Sequence, residues 1–341
     1  VMRPITDTHK ISREKLAYIL DATTSSVCTL VPFMAWGAFL GGLVAEQGNP
    51  VTSIDQGIAI FARSIPYNFY SIITVVLTLF VAMEFFPDFG PMRKAEKRSM
   101  ETGKVLRDGA NPMTGSELED LFPENSSEKA HLFAHLIMPV LIIVGIAGYT
   151  FVAMGSIKIC EAFIAAVLYT SIALFATRTV KSVADFMKTV TSGMQGVLPA
   201  LTILALAYCL NTVTKGLGAA DYILGAAEGW LTPSLLVMTT FLATAIISFS
   251  TGTSWGAFAV VMPFALPVAY SISGGAVTPV VLKTIAAVTG GGIFGDHASP
   301  VSDTTVLSSM GAGCDHIDHV KTQLPYAILV AAITCGLYYV L

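Results

Sequence analysis

Charged side chains are scarce in this chain. Only 12% of its 341 residues are Asp, Glu, Lys or Arg, while 54% are hydrophobic and the mean hydropathy is +0.69. Soluble domains carry roughly a quarter charged residues, so the composition excludes an ordinary soluble fold and indicates a polytopic, all-α membrane protein. There is no surplus of positive charge either: Lys+Arg number 19 against 23 Asp+Glu, which argues against any nucleic-acid partner. The cysteines Cys28, Cys160, Cys209, Cys314 and Cys335 form no CxxC pair, and all but one lie in apolar runs. They read as small hydrophobes, not as a disulfide frame. The first dozen residues are polar and basic with no apolar core, so they do not read as a cleavable signal peptide. Neither an HExxH motif nor a Ser/His/Asp arrangement is present, so an enzyme is not expected and no cofactor is called for.

What is abundant is apolar sequence in span-length runs. The first, about 16–44, is interrupted by Asp21-Ala-Thr-Thr-Ser-Ser26 and by Pro32, which predicts a discontinuous helix. A clean span follows at Phe69–Phe86. The one long polar segment, 87–129, carries Arg93, Lys94, Lys97, Arg98, Lys104 and Arg107 in its first half. Cationic loops beside span ends stay in the cytoplasm, so this loop sets the orientation. Further spans are expected at 132–154, 160–176 and 197–213. The run 235–270 is too long for one span and holds Ser248-Phe-Ser-Thr-Gly-Thr-Ser-Trp-Gly256, which predicts a hairpin or an unwound helix. The remaining spans are 276 onward and 324–341. The segments group as 1–86, 87–129, 130–195 and 196–341.

The stretch 290–309 is the least lipid-like of the deep segments. Glycines, Pro300 and six hydroxyl side chains surround two carboxylates, Asp296 and Asp303. An unpaired carboxylate costs several kcal/mol in hydrocarbon, so such groups persist where they face a cavity, a partner or a cation. Broken helices need the same protection for their free backbone groups. Together these features describe the ion site of a secondary transporter. Asp303, with Ser302, Thr304 and Thr305, is the first candidate, as sodium ligand and proton acceptor; an N-cap at the following helix is the structural alternative. Asp296 is the second carboxylate, with Ser299 beside it. His297 is expected to line the cavity as an uncharged hydrogen-bonder. Thr251, Thr253 and Ser254 join the site if the two broken elements cross; otherwise they bond back to their own helix. Asn211 and Thr212 are weaker candidates. Trp36, Trp255 and Phe258 would line a larger cavity if the substrate is organic. Cys314-Asp-His-Ile-Asp-His319 has ligating side chains in compact spacing but no distant matching cluster, so a solvated loop is expected there and not zinc.

The chain ends resemble one another. Pro4-Ile-Thr-Asp7 answers Pro300-Val-Ser-Asp303, and Lys15-Leu-Ala-Tyr18 answers Gln323-Leu-Pro-Tyr326. Counting spans puts the two copies in opposite orientations, as in inverted-topology repeats. The chain starts within such a copy, so further sequence is expected upstream of Val1.

Gly295-Asp-His-Ala-Ser-Pro-Val-Ser-Asp-Thr-Thr305, Gly311-Ala-Gly-Cys-Asp-His-Ile-Asp-His-Val320 and Thr322-Gln-Leu-Pro-Tyr326 resemble the hallmark of the NhaC-type sodium/proton antiporters. The N-terminal segments Met2–Asp7 and Ile11–Asp21 and the stretch Asp88-Phe-Gly-Pro-Met92 resemble that family too. The resemblance implies sodium/proton exchange in a bacterial cytoplasmic membrane, with Na+ and H+ as coupling ions and relatives that exchange organic acids. One short branch is linked to tetracycline efflux, and the absence of the usual N-terminal spans is similar to that branch. Efflux of an organic substrate is therefore the alternative function. His297 stands where many relatives carry asparagine. Inverted-repeat relatives often assemble symmetrically, so a homo-oligomer in lipid is expected.

Overall fold

The computed structural model describes residues 3–48, 50–112, 131, 133–154, 158–218, 222, 225–226 and 232–341, with some side chains inside the helix 183–216 outside that description. Among the described residues the elements are α1 (Arg3–Thr8), α2 (Arg13–Leu30), α3 (Ala35–Glu46), α4 (Ile54–Ser64), α5 (Phe69–Ala82) and α6 (Gly90–Thr102). After a π-helical turn at Phe133–Ile137 come α7 (Met138–Met154), α8 (Ile159–Ala176), α9 (Val183–Gly216) and α10 (Pro233–Thr251). The last four are α11 (Ser254–Ile272), α12 (Pro279–Ala298), α13 (Asp303–Ala312) and α14 (His316–Val340). No strand forms among these residues; an isolated bridge joins Pro112 to Asp315. The chain is an all-α, multi-pass membrane protein. Five segments are long and apolar enough to cross a bilayer, or up to seven if each of two bent helix pairs counts as one span.

The chain divides into two compact units. One holds Val31–Arg63 and Pro123–Gly216. Within it α3 and α4 meet backbone to backbone: a Cβ on Gly57 would lie 2.0 Å from the Gly41 carbonyl oxygen. Such contact between small residues replaces the hydrophobic drive that lipid cannot supply. Its small core is Ile58, Ala147 and Ile159, and Lys158, the residue before α8, pairs with Asp55.

The other unit holds Val1–Leu30, Ser64–Phe122 and Leu217–Leu341. Here α12 is central, packed by α10, α11, α5, α2, α13 and α14. Its glycines make that possible. A Cβ on Gly291 would sit 2.5 Å from the Phe241 carbonyl oxygen, and one on Gly295 would sit 2.2 Å from the Phe249 nitrogen. The helix pair α10–α12 is thus in direct main-chain contact, and any side chain there would push it apart.

The expected interruptions are resolved individually. Asp21–Ser26 does not break the first span, which corrects that expectation: α2 runs through it unbroken. Thr23 and Thr24 turn their hydroxyls onto the carbonyls of Ile19 and Leu20, both at 2.6 Å. With no water to compete, hydroxyls satisfy themselves on their own helix instead of unwinding it. The break comes at Pro32, whose ring disfavours helix in the residue before it. The long run 235–270 is two helices, α10 and α11, joined through Gly252 and Thr253. The expected span 197–213 is part of the longer α9.

Candidate functional site

Two helix breaks cross in the second unit. The α12 helix ends at Ala298, Pro300 prevents its continuation, and the chain runs extended through Ser299 and Ser302 before α13 starts. On the other side α10 stops at Gly252, whose φ of +69° suits glycine, and Thr253 caps α11 by accepting the Gly256 N–H at 3.4 Å. The breaks touch: a Cβ on Gly252 would lie 2.6 Å from the Val301 carbonyl oxygen.

Asp296, in the last turn of α12, is 2% exposed. Its Oδ1 accepts from the Ser302 hydroxyl at 3.2 Å, and that hydroxyl also contacts Thr304 Oγ1 at 3.0 Å. Its backbone carbonyl accepts from Thr304 and Thr305 Oγ1 at 3.4 and 3.2 Å. Ser254 opens α11 directly after the Gly252–Thr253 break, which packs against Val301. Helix N-termini carry partial positive charge, so α11 and α13 both favour an anion here. Among the described residues, Asp296 Oδ2 and Ser254 Oγ are buried without a hydrogen-bond partner, and no Lys or Arg pairs with Asp296.

Asp303, the first candidate from the sequence, is exposed at the first position of α13, where it accepts the N–H of Thr304 at 2.9 Å. Ser299 is buried and closes the turn, accepting the Val301 N–H at 3.2 Å. His297 is fully enclosed, with Nδ1 2.9 Å from the Ile293 carbonyl and Nε2 3.1 Å from the Tyr70 hydroxyl. The carbonyl only accepts, so Nδ1 carries the proton and Nε2 takes the tyrosine proton: a neutral imidazole satisfies both bonds.

Asp21, Gln323, His319 and Tyr70 join the cluster although the sequence did not single them out as site residues. Asp21 and Gln323 are 0% exposed. The Gln323 amide nitrogen donates to Asp21 Oδ2 at 2.9 Å and to the His297 carbonyl, while its oxygen lies 2.8 Å from His319 Nε2. Ser309 Oγ lies 2.9 Å from His319 Nδ1. A carboxylate halfway along a hydrophobic span is itself a functional signal; here its hydroxyl-rich neighbours made the segment read as a break.

Phe258 is 0% exposed, its ring edge 2.1 Å from where a Cβ on Gly292 would lie; Trp255 is partly exposed, and Trp36 lies in α3. One expectation is corrected. The Cys314–His319 segment is not a solvated loop. Cys314 and His319 are buried, and Asp315 caps α14 by accepting the N–H groups of Ile317 and Asp318 at 3.0 and 3.1 Å. Among the described residues no group of three His, Cys, Asp or Glu is placed to hold a metal. The Asn211 side chain lies outside the described residues.

Around this site the helix ends are tied down. Arg3 and Arg13 donate to the carbonyls of Met310, Gly311 and Gly313 at the C-terminus of α13, at 3.1, 2.9 and 3.0 Å. Cations there oppose the helix dipole. Asp7, the sequence counterpart of Asp303, pairs with Arg13 at 3.0 Å.

A model of the Na+/H+ antiporter family matches residues 27–341. An uncharacterized protein of Haemophilus influenzae is 31% identical over 98% of this chain and 64% of its own length. An uncharacterized Na+/H+ antiporter of the same organism is 32% identical over 44% of the chain and 32% of its own. The malate-2H+/Na+-lactate antiporter of Bacillus subtilis is 30% identical over 44% of the chain and 30% of its own. The chain therefore spans less than two thirds of the length of these relatives. No solved structure matches it.

Proposed function

Because this chain belongs to the Na+/H+ antiporter family, we propose that it is a secondary transporter exchanging Na+ for H+ through the carboxylate of Asp296. The observation that carries this reading is Asp296 Oδ2, buried and unpartnered where two helix breaks cross. A carboxylate so placed is costly when bare. It is relieved by a proton or by a small hard cation held with neighbouring oxygens, and the two exclude one another. Ser302, Thr305 and Ser254 are the proposed oxygen partners, with Thr253 and Ser299 holding the two breaks in shape. Asp303, exposed beside them, draws cations toward the site. Alternating exposure of one competitive site to the two sides gives exchange without further chemistry. The ions are cargo, and the protein works in a bacterial cytoplasmic membrane.

The second reading, coupled export of an organic acid or of tetracycline, draws on the organic-acid exchange in the name of the Bacillus subtilis relative. Phe258, expected to line a cavity for such a substrate, is buried. The deciding experiment uses proteoliposomes containing the full chain and a trapped pH-sensitive dye. Sodium alone should evoke proton movement, and Asp296→Asn should abolish it. Undiminished flux in that variant overturns the assignment, and flux that needs an added organic substrate favours the second reading.

A further inference from the structure

We infer that Asp21 is a second carboxylate of the cation site and that Gln323 is the residue that positions it; this rests on the exchange reading above. Asp21 lies in the middle of α2, 0% exposed, far in sequence from Asp296. Its Oδ2 is held by Gln323, while Oδ1 is buried without a partner among the described residues. Asp21 Oδ1, Asp296 Oδ2 and Ser254 Oγ are each buried without a hydrogen-bond partner among the described residues. They come from α2, α12 and α11, so the group is not an accident of one helix. Gln323 links the two carboxylates, since its amide nitrogen donates both to Asp21 Oδ2 and to the carbonyl of His297, the residue after Asp296.

The orientation of Gln323 is fixed by its partners. Asp21 Oδ2 and the His297 carbonyl are both acceptors, so the amide nitrogen must face them and its oxygen must face His319. Gln323 thereby ties Asp21 to the peptide next to Asp296. Among the described residues no Lys or Arg pairs with Asp21; the nearest cationic candidate is His319, 3.8 Å away, whose Nε2 is already directed at Gln323. A structural acceptor for Gln323 would require only a carbonyl oxygen, which asparagine supplies. A carboxylate is needed only if charge is used. Two carboxylates and hydroxyl oxygens in a dry setting suit a hard monovalent cation of sodium or lithium size.

The test measures Na+ and Li+ binding to the purified full chain in detergent. Asp21→Asn keeps the bond to Gln323 and removes the charge. It should weaken Na+ binding at least tenfold and change the Na+/Li+ preference while leaving the unfolding temperature close to wild type. Gln323→Leu should weaken binding severalfold and alter the same preference, with Gln323→Asn restoring part of it. Loss of folded protein alone would not alter the preference of what remains. If Asp21→Asn does not fold, Asp21→Glu, which moves the charge on a longer arm, should shift the preference. Wild-type affinity and preference in the Asp21 variants, with binding lost in Asp296→Asn, overturns this inference and leaves the exchange reading standing. Wild-type binding in Asp296→Asn as well overturns both.

Discussion

Tyr18 and Tyr326 lie ring against ring, their centroids 4.9 Å apart and their planes inclined by 35°. Three residues further along α2 is Asp21, and three residues back along α14 is Gln323, its hydrogen-bond partner. The two contacts define one antiparallel register, which the tyrosine pair should hold. The Tyr18 hydroxyl accepts from Thr78 at 3.1 Å, and Tyr326 donates to Asp88 at 3.3 Å. Replacing either tyrosine with alanine should cost about 3–5 kcal/mol, the scale of deleting a buried aromatic. The double variant should show a coupling of about 0.5–1.5 kcal/mol. Denaturant unfolding in detergent measures both, and strict additivity would show that the rings do not set the register.

Gly252 separates two effects that glycine substitutions usually confound. Gly252→Ala should lose stability for its φ of +69°, about 1–2 kcal/mol. It should also lose exchange, because the new methyl group strikes the Val301 backbone. Gly274→Ala is the control, with a φ of +64° and nothing within 4 Å of the added carbon. It should show the strain and keep the exchange. Equal transport in the two variants would mean that the crossing of the breaks does not matter.

Much of this arrangement was legible in the sequence, for identifiable reasons. Glycine and proline mark breaks whatever surrounds them, so the interruptions at Pro32, Gly252 and Pro300 could be read directly. Asp296 was legible because a carboxylate deep in an apolar chain has few bland explanations. Hydroxyl residues were harder. Thr23 and Thr24 stay helical in an apolar setting by bonding to their own carbonyls, and only the surroundings decide between that and a loop. Burial was not legible at all: the sequence puts Asp303 ahead of Asp296, but Asp303 faces out and Asp296 in. Gln323 owes its role to Asp21, some three hundred residues away, and no local pattern announces such a pair.

Asp315 gives the fold a dependence on acid outside the apolar spans. Burial pushes its carboxyl upward, but the N–H groups of Asn111, Asp318 and Ile317 and the Arg107 guanidinium outweigh it and leave the group below its usual 3.8. A carboxyl depressed by folding contributes stability above its unfolded value, and that contribution disappears as pH falls through the folded one. Wild-type protein should therefore lose unfolding temperature below about pH 4 more steeply than Asp315→Asn, which still caps α14 but does not titrate. At pH 7, Asp315→Ala should cost about 0.5–2 kcal/mol. Parallel acid profiles for the wild type and the asparagine variant would exclude this residue as the source.

Asp303 and Asp296 should respond differently to the same chemical change. Both become amides in the Asn variants, but only Asp296 is shut away from solvent. An exposed charge near a cation path is worth what exposed ion pairs are worth, about 0.2–1 kcal/mol. Asp303→Asn should therefore raise the Na+ concentration for half-maximal flux about 1.5- to 5-fold and leave the plateau unchanged. Choline chloride should shrink that difference, since salt screens exposed charges over a Debye length of about 10 Å at 0.1 M. Asp296→Asn should remove the flux at every Na+ concentration, with no help from screening. Flux measured against Na+ in proteoliposomes distinguishes the two patterns. Complete loss in Asp303→Asn, insensitive to choline, would make Asp303 a direct ligand and require α13 to turn inward during transport.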